Sequence, residues 1–190
     1  FKRNKIKKKT VKVLDLFSGS GKNSYIVIDL NYKYFSLDWV SSGNKYIKNR
    51  LKRVTNFTCM DVTNKSLPYK DNFFDFIICA QVFDHIFRKD AINLVKEVHR
   101  ILKKDGKVIA NLMLNETNQK IRTGKKIKSQ KNTFLVSDGS SKGEIHSFFT
   151  KKESINFFKN FFYIDNIFDQ KIIFPKQREK IVTKYFYLRK

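Results

Sequence analysis

Residues 13–21 read Val-Leu-Asp-Leu-Phe-Ser-Gly-Ser-Gly, a greasy run that carries one carboxylate and then breaks into small residues. This stretch constrains the fold more than any other. A short, continuous apolar run predicts a strand covered on both faces, which is the habit of parallel sheets. The glycines after it predict a tight turn at which backbone is left bare for a ligand, with the N-terminus of a helix just beyond.

The pattern recurs. "YKYFSLD" (32–38) and "VTNFTCMD" (54–61) predict the second and third strands, and each ends on an aspartate, Asp38 and Asp61. "FFDFIICAQ" (73–81) and "KVIANLML" (107–114) predict the fourth and fifth. Helices are expected between them: a short one over 21–30 and a weakly patterned one over 42–53. A third, over 91–104, carries Ala91, Leu94, Val95, Val98 and Leu102 as an apolar stripe, with Asp90 as its N-cap, Lys103 and Lys104 in its last turn and Gly106 as its stop. Strands alternating with helices imply a parallel sheet with right-handed crossovers. "TKKE" (150–153) reads as a capping box. The last two strands, "YIDNIFD" and "TKYFYLR", have no crossover helix between them and are expected to pair as an antiparallel hairpin. The fold class is α/β in three layers.

At 190 residues the chain is expected to be a single domain spanning 1–190, with 1–10 a basic arm and 115–145 a polar, aperiodic insert or substrate lid. No stretch approaches a membrane span, and the basic N-terminus lacks the apolar segment of a signal peptide, so the expected location is cytoplasmic. Cys59 and Cys79 sit in apolar runs and are read as buried thiols; with no His/Cys cluster beside them, no metal is expected. The net charge of +23 has two readings, attraction to RNA or the lysine bias of an AT-rich genome.

Three consecutive strands thus deliver Asp15, Asp38 and Asp61 to one rim of the sheet, where open α/β sheets bind ligands. Asp38 lies seventeen residues after Gly21, placed for the two hydroxyls of a ribose, and Asp61 for an exocyclic amine such as that of adenine. Each alone is also a plausible loop cap; the series of three describes an adenosine. The phosphate motifs do not close: Ser24 stands where a dinucleotide fingerprint needs Gly or Ala, and Asn23 follows Gly21-Lys22 where a phosphate loop needs Ser or Thr.

"VLDLFSGSG", "SLD", "CMDVTNKSLPYKDNFFDFIIC", "VFDHI", "VHRILKKDGKVI" and "HSFFTKKE" together resemble, in order over about 11–155, the motifs of class I S-adenosylmethionine-dependent methyltransferases. The resemblance is to the small-molecule group around the ubiquinone/menaquinone biosynthesis and tellurite-resistance enzymes. It implies a Rossmann-like sandwich on a seven-stranded, mostly parallel sheet whose last strand is antiparallel. It implies S-adenosylmethionine as cofactor and S-adenosylhomocysteine as product. By the same resemblance, Asp15, Gly19 and Gly21 surround the methionine end of the cofactor, with Phe17 standing where the family commonly has glycine. Asp38 and Trp39 take the ribose, Asp61 and the Val62 backbone the adenine, and Ala80 and Gln81 the floor near the sulfonium.

Asp84 and His85 after the fourth strand, and His146 before the capped helix, are the candidate catalytic or acceptor-binding residues; His85 also fits a hydrogen-bonded packing role. Ala80-Gln81-Val82-Phe83 differs from the Asn/Asp-Pro-Pro-aromatic grip on a flipped base, which argues against methylation of adenine N6 or guanine N2. A small-molecule acceptor is the leading expectation. The alternatives are tRNA or rRNA, and a non-catalytic cofactor-binding subunit completed by a partner.

Overall fold

The computed structural model describes residues 10–41, 45, 47–48, 56–63, 65–117, 124–137, 142–175 and 179–190. The N-terminal arm and most of the helix expected over 42–53 lie outside them.

Seven strands form the main sheet: β1 (Lys12–Leu16), β2 (Lys33–Asp38), β3 (Asn56–Cys59), β4 (Phe74–Cys79), β5 (Leu102–Met113), β9 (Tyr163–Phe174) and β10 (Glu179–Arg189). Their order is β3-β2-β1-β4-β5-β10-β9. The first five are mutually parallel, and β10 runs antiparallel to both β5 and β9. The strand order reverses beside β1, so the carboxyl ends of β1 and β4 flank a crevice.

The period of two along β1 and β2 sorts their side chains onto two faces. Leu14, Leu16, Phe35 and Leu37 join the larger apolar cluster, with Ala91, Leu94, Val95, Val98 and Ile101 of helix α2 (Arg88–Ile101) and Phe158 of α3 (Lys151–Lys159). Val13 and Tyr34 face the other way, onto Val27 of α1 (Ser24–Asp29) and Ile47. Helices therefore cover both faces, and the three-layer, seven-stranded arrangement with an antiparallel C-terminal pair is as expected.

Helix α2 differs at both ends from its sequence reading. Phe87 holds the N-cap position, and Asp90 lies inside the first turn, where its charge meets the positive end of the helix dipole. The helix stops at Ile101, because Leu102 turns extended and pairs with Phe74. Lys103 consequently binds Asp75 at 2.6 Å instead of serving the helix end. Gly106 fills a tight spot: an added Cβ would lie 2.8 Å from the Lys103 carbonyl oxygen.

The capping box of α3 forms as read, with Thr150 Oγ1 accepting from the Glu153 N–H and the Glu153 carboxylate accepting from the Thr150 N–H. The described part of the insert builds a small antiparallel sheet of β6 (Lys125–Lys126), β7 (Thr133–Leu135) and β8 (Ile145–Ser147). Arg88, at the start of α2, ties it down by donating to the carbonyls of Lys131 and Phe148, while its guanidinium lies 4.1 Å from the Phe149 ring centre. No described helix is long and apolar enough to cross a membrane.

Candidate functional site

A cavity of about 900 Å³ opens at the carboxyl ends of β1, β2 and β4. Of the residues singled out in the sequence, Phe17, Asp38, Trp39, Asp61, Ala80 and Gln81 line it, and so does His85. Asp15, Gly19, Gly21, Val62, Asp84 and His146 do not.

Asp38 is held by backbone. Its Oδ2 accepts from the Gly19 N–H at 2.8 Å and its Oδ1 from the Val40 N–H at 3.0 Å. Each oxygen keeps a lone pair for a further donor. Gly19 has φ +51°, and a Cβ there would meet nothing within 4 Å, so this turn presents open backbone. Gly21, at φ +75°, is tight instead, since a Cβ would strike Ile47 Cγ1 at 2.5 Å. Asp61 is exposed, and its Oδ1 accepts from both the N–H and the hydroxyl of Thr63. Those bonds, the backbone one first, hold its pKa below the ordinary carboxylate value.

Asp15 sits beneath the loop, 1% exposed, accepting from Asn23 Nδ2 at 3.1 Å and the Tyr34 hydroxyl at 2.9 Å. Burial raises its pKa from 3.8 to about 6, although both hydrogen bonds oppose the rise. It joins β1 to β2 and to the entry of α1, and so shapes the turn from below.

Phe17 and Gln81 share a property no sequence pattern disclosed: both adopt left-handed backbone, with φ +59° and +55°. They follow the neighbouring strands β1 and β4. The Phe17 N–H donates to the Leu37 carbonyl at 2.8 Å, and the Gln81 N–H to the side chain of buried Asn111 at 2.6 Å. Phe17 therefore occupies a conformation that favours glycine, at a cost of about 1 kcal/mol. Its ring packs partly against the main core and partly walls the cavity.

At the other end of the cavity, His85 and Glu144 meet. Glu144 Oε2 lies 3.5 Å from His85 Nδ1 and 3.1 Å from Nε2 of the buried His146. The two imidazole centres are 4.3 Å apart. Burial works to lower the pKa of His85, but the Glu144 and Asp84 carboxylates outweigh it and hold the value above that of an ordinary histidine. His146 goes down, through burial and the neighbouring His85. Asp84 is fully buried, which raises its pKa; one oxygen accepts from the Met113 N–H. Glu144, Asn111, Thr63 and Tyr34 were not singled out in the sequence, and none lies in a pattern that flags it. Cys79 is buried as read, whereas Cys59, at the edge strand β3, is exposed; both are free.

The fold and this crevice define a Rossmann-like α/β class, with the carboxylates at or just past the ends of two neighbouring parallel strands, Asp38 and Asp61, lining one cavity. Comparison with known proteins makes the assignment specific: the profile of the methyltransferase domain family matches residues 14–110, and the chain belongs to that family of S-adenosylmethionine-dependent methyltransferases. An uncharacterized protein of Methanocaldococcus jannaschii is 32% identical over 102 residues, which are 54% of this chain and 40% of that relative; the chain thus spans well under two thirds of its length. An S-adenosylmethionine-dependent methyltransferase from Methanosarcina mazei superposes with a TM-score of 0.79 at 19% identity, covering 96% of this chain and 93% of that one. The Burkholderia thailandensis 1,6-didemethyltoxoflavin-N1-methyltransferase, solved with 1,6-didemethyltoxoflavin and S-adenosylhomocysteine, superposes with a TM-score of 0.67 at 15% identity, over 95% and 71% of the two chains.

The cavity fits the cofactor of this family. Its volume lies within the range of small-molecule sites. Asp38 is preorganised by two backbone donors with acceptor capacity to spare, and the Gly19 turn has room for a ligand to approach the chain.

Proposed function

We propose that this protein transfers a methyl group from S-adenosylmethionine to a small-molecule acceptor seated between the cofactor and His85. One observation carries the reading: a single cavity has the Asp38 and Asp61 carboxylates in one wall and His85 with Glu144 in another. The Burkholderia neighbour, which binds a small heterocycle beside S-adenosylhomocysteine, supports an acceptor of that size.

The cofactor supplies an activated methyl on a sulfonium, so the protein's task is alignment. Asp38 would bind the ribose hydroxyls with the lone pairs left by Gly19 and Val40. Asp61 would accept from the adenine amine. Asp15, Gly19 and Gly21 shape the loop around the methionine end, from beneath and behind. The side chain of Val62 is in the core, which leaves its backbone to face the adenine. Ala80 and Gln81 would floor the site, and Trp39 would cover the ribose. Phe17, Ile86 and Phe87 exclude water from the reacting centre. His85, held by Glu144 where both line the cavity, would orient the acceptor, with Asp84 and His146 packed behind it.

A titration of the protein with S-adenosylhomocysteine should show micromolar binding that Asp38→Ala weakens at least tenfold. With methyl-labelled cofactor and a cell extract, label should enter the low-molecular-weight fraction. The net charge of +23 favours a second reading, in which the acceptor is tRNA or rRNA. Label in RNA, with binding that falls linearly in log–log against salt, would replace the first reading with the second.

A further inference from the structure

Two imidazoles and a carboxylate converge at the acceptor end of the cavity. The Glu144 carboxylate oxygen is 3.1 Å from His146 Nε2 and 3.5 Å from His85 Nδ1, and one ligand-type atom from each residue lies within 4.8 Å of the other two. Tetrahedral coordination by nitrogen and oxygen at roughly 2.1 Å sets neighbouring ligand atoms about 3.4 Å apart. The observed spacings straddle that value, so a cation could enter with side-chain adjustment alone. The far side of the same cluster is incompletely paired. Asp84 Oδ1, His85 Nε2 and His146 Nδ1 are all buried and have no hydrogen-bond partner among the described residues. Asp84 is 0% exposed and His146 2% exposed. Leaving such atoms unpaired costs on the order of 1–3 kcal/mol each, so the rings are held with Nδ1 of His85 and Nε2 of His146 turned to Glu144 at the expense of their other nitrogens.

We propose that His85, Glu144 and His146 form a binding site for a divalent first-row transition cation. Two imidazoles with one carboxylate suit zinc, manganese, cobalt or iron, and are too nitrogen-rich for magnesium or calcium. Three protein ligands leave a coordination position open, and His85 and Glu144 both line the cavity, so that position faces the acceptor. Asp84, one residue from a ligand, lies buried in the same cluster. The acceptor class follows from this chemistry: a hydroxyl or enol oxygen, which binds a hard-to-borderline cation and loses its proton more readily when bound. That oxygen's proton passes to solvent. Its lone pair forms the new carbon–oxygen bond while the methyl–sulfur bond breaks with its electron pair retained by sulfur. The role in transfer rests on the methyltransferase reading above; the cation site does not.

The test uses the full chain stripped of metal with a chelator, titrated with Co²⁺ and followed by its visible absorption. One equivalent should bind with tetrahedral or five-coordinate bands. His85→Ala and His146→Gln should each weaken binding by about 100-fold or more, beyond the 10–100-fold typical of residues behind the ligands. Glu144→Gln should weaken it at least tenfold. Binding of S-adenosylhomocysteine, measured on the same variants, should stay within twofold of the parent and shows that they are folded. Absence of the Co²⁺ bands in the parent protein overturns the proposal, and so does undiminished binding in folded His146→Gln. If Co²⁺ binds and S-adenosylhomocysteine does not, the cation site stands and the methyltransferase reading falls.

Discussion

The two ends of the cavity are built on opposite plans. At the cofactor end, the carboxylates are held within the protein, Asp38 by two backbone donors, Asp61 by Thr63 and Asp15 by Asn23 and Tyr34, and only the Ser18 and Ser36 hydroxyls are left buried without a partner among the described residues. At the acceptor end, Asp84, His85 and His146 each keep a buried polar atom without a partner among the described residues. The carboxylates of the first end are oriented before any ligand arrives, whereas the second end leaves its imidazoles and a carboxyl incompletely paired. Preorganisation suits a cofactor common to a whole family; an incompletely paired cluster suits the part that confers one enzyme's selectivity.

Substitutions at each end should separate these plans. The largest effect is expected from His85→Ala. Its kcat should fall by about 10²–10⁴-fold, the usual contribution of a positioned acid–base or ligand group. Affinity for S-adenosylhomocysteine should be nearly unchanged, as calorimetry would check; a joint loss would mean that the ends are not independent.

Asp38→Ala comes next, with a loss of roughly 100-fold in S-adenosylhomocysteine affinity, about 3 kcal/mol. The Gly19 and Val40 donors lose their acceptor together with the ribose. Thermal stability should fall only modestly, so the two measurements distinguish binding from folding.

Asp15 supplies a pH test. Its folded pKa of about 6 lies above the unfolded value of 3.8, so the native state holds the extra proton between them. This group's contribution is therefore fully present below pH 3.8 and is lost as pH rises through 6, by up to about 3 kcal/mol. Asp15→Asn should remove that fall. Urea unfolding across pH 4 to 7 would show parent and variant diverging, and parallel curves would mean that Asp15 ionises freely.

The smallest effect is expected from Phe17→Gly. Release of the left-handed strain offsets the lost packing, leaving stability within about 1 kcal/mol of the parent. Affinity for S-adenosylhomocysteine should drop a few-fold because one wall is gone. Unchanged affinity would show that the ring serves the core alone.

Much of the cofactor end was legible in the sequence, because strands buried on both faces write unbroken apolar runs, and a carboxylate at the end of such a run stands out. Asp38 and Asp61 were located in this way. Asp15 was found by the same signal, yet its place beneath the loop depends on Tyr34 and Asn23, which the signal does not contain. The acceptor end was legible in part: Asp84, His85 and His146 stood out by residue type, and Glu144 did not. Glu144 and His146 lie in an aperiodic, polar stretch some 60 residues beyond His85, and only the folding of β6–β8 against the start of α2 brings them together. The expectation of no metal rested on spacing along the chain, which carries no information about residues joined across two elements. The start of α2 was misread because Asp90 is a good capping residue by type, while the geometry puts Phe87 there. Cys59 was misread because an apolar run does not distinguish an edge strand from a central one.

The placement of β10 has a consequence for the chain as it is made. β5 ends the parallel series, and its outer edge is paired by β10, which in turn supports β9. While residues 179–189 are still on the ribosome, a nascent chain carries a twelve-residue strand, β5, with a bare hydrogen-bonding edge. Such an edge invites pairing with other chains. The chain carries 40 Lys and Arg against 17 Asp and Glu, and that excess of positive charge sets such nascent chains to repel one another while the edge waits for its partner strand.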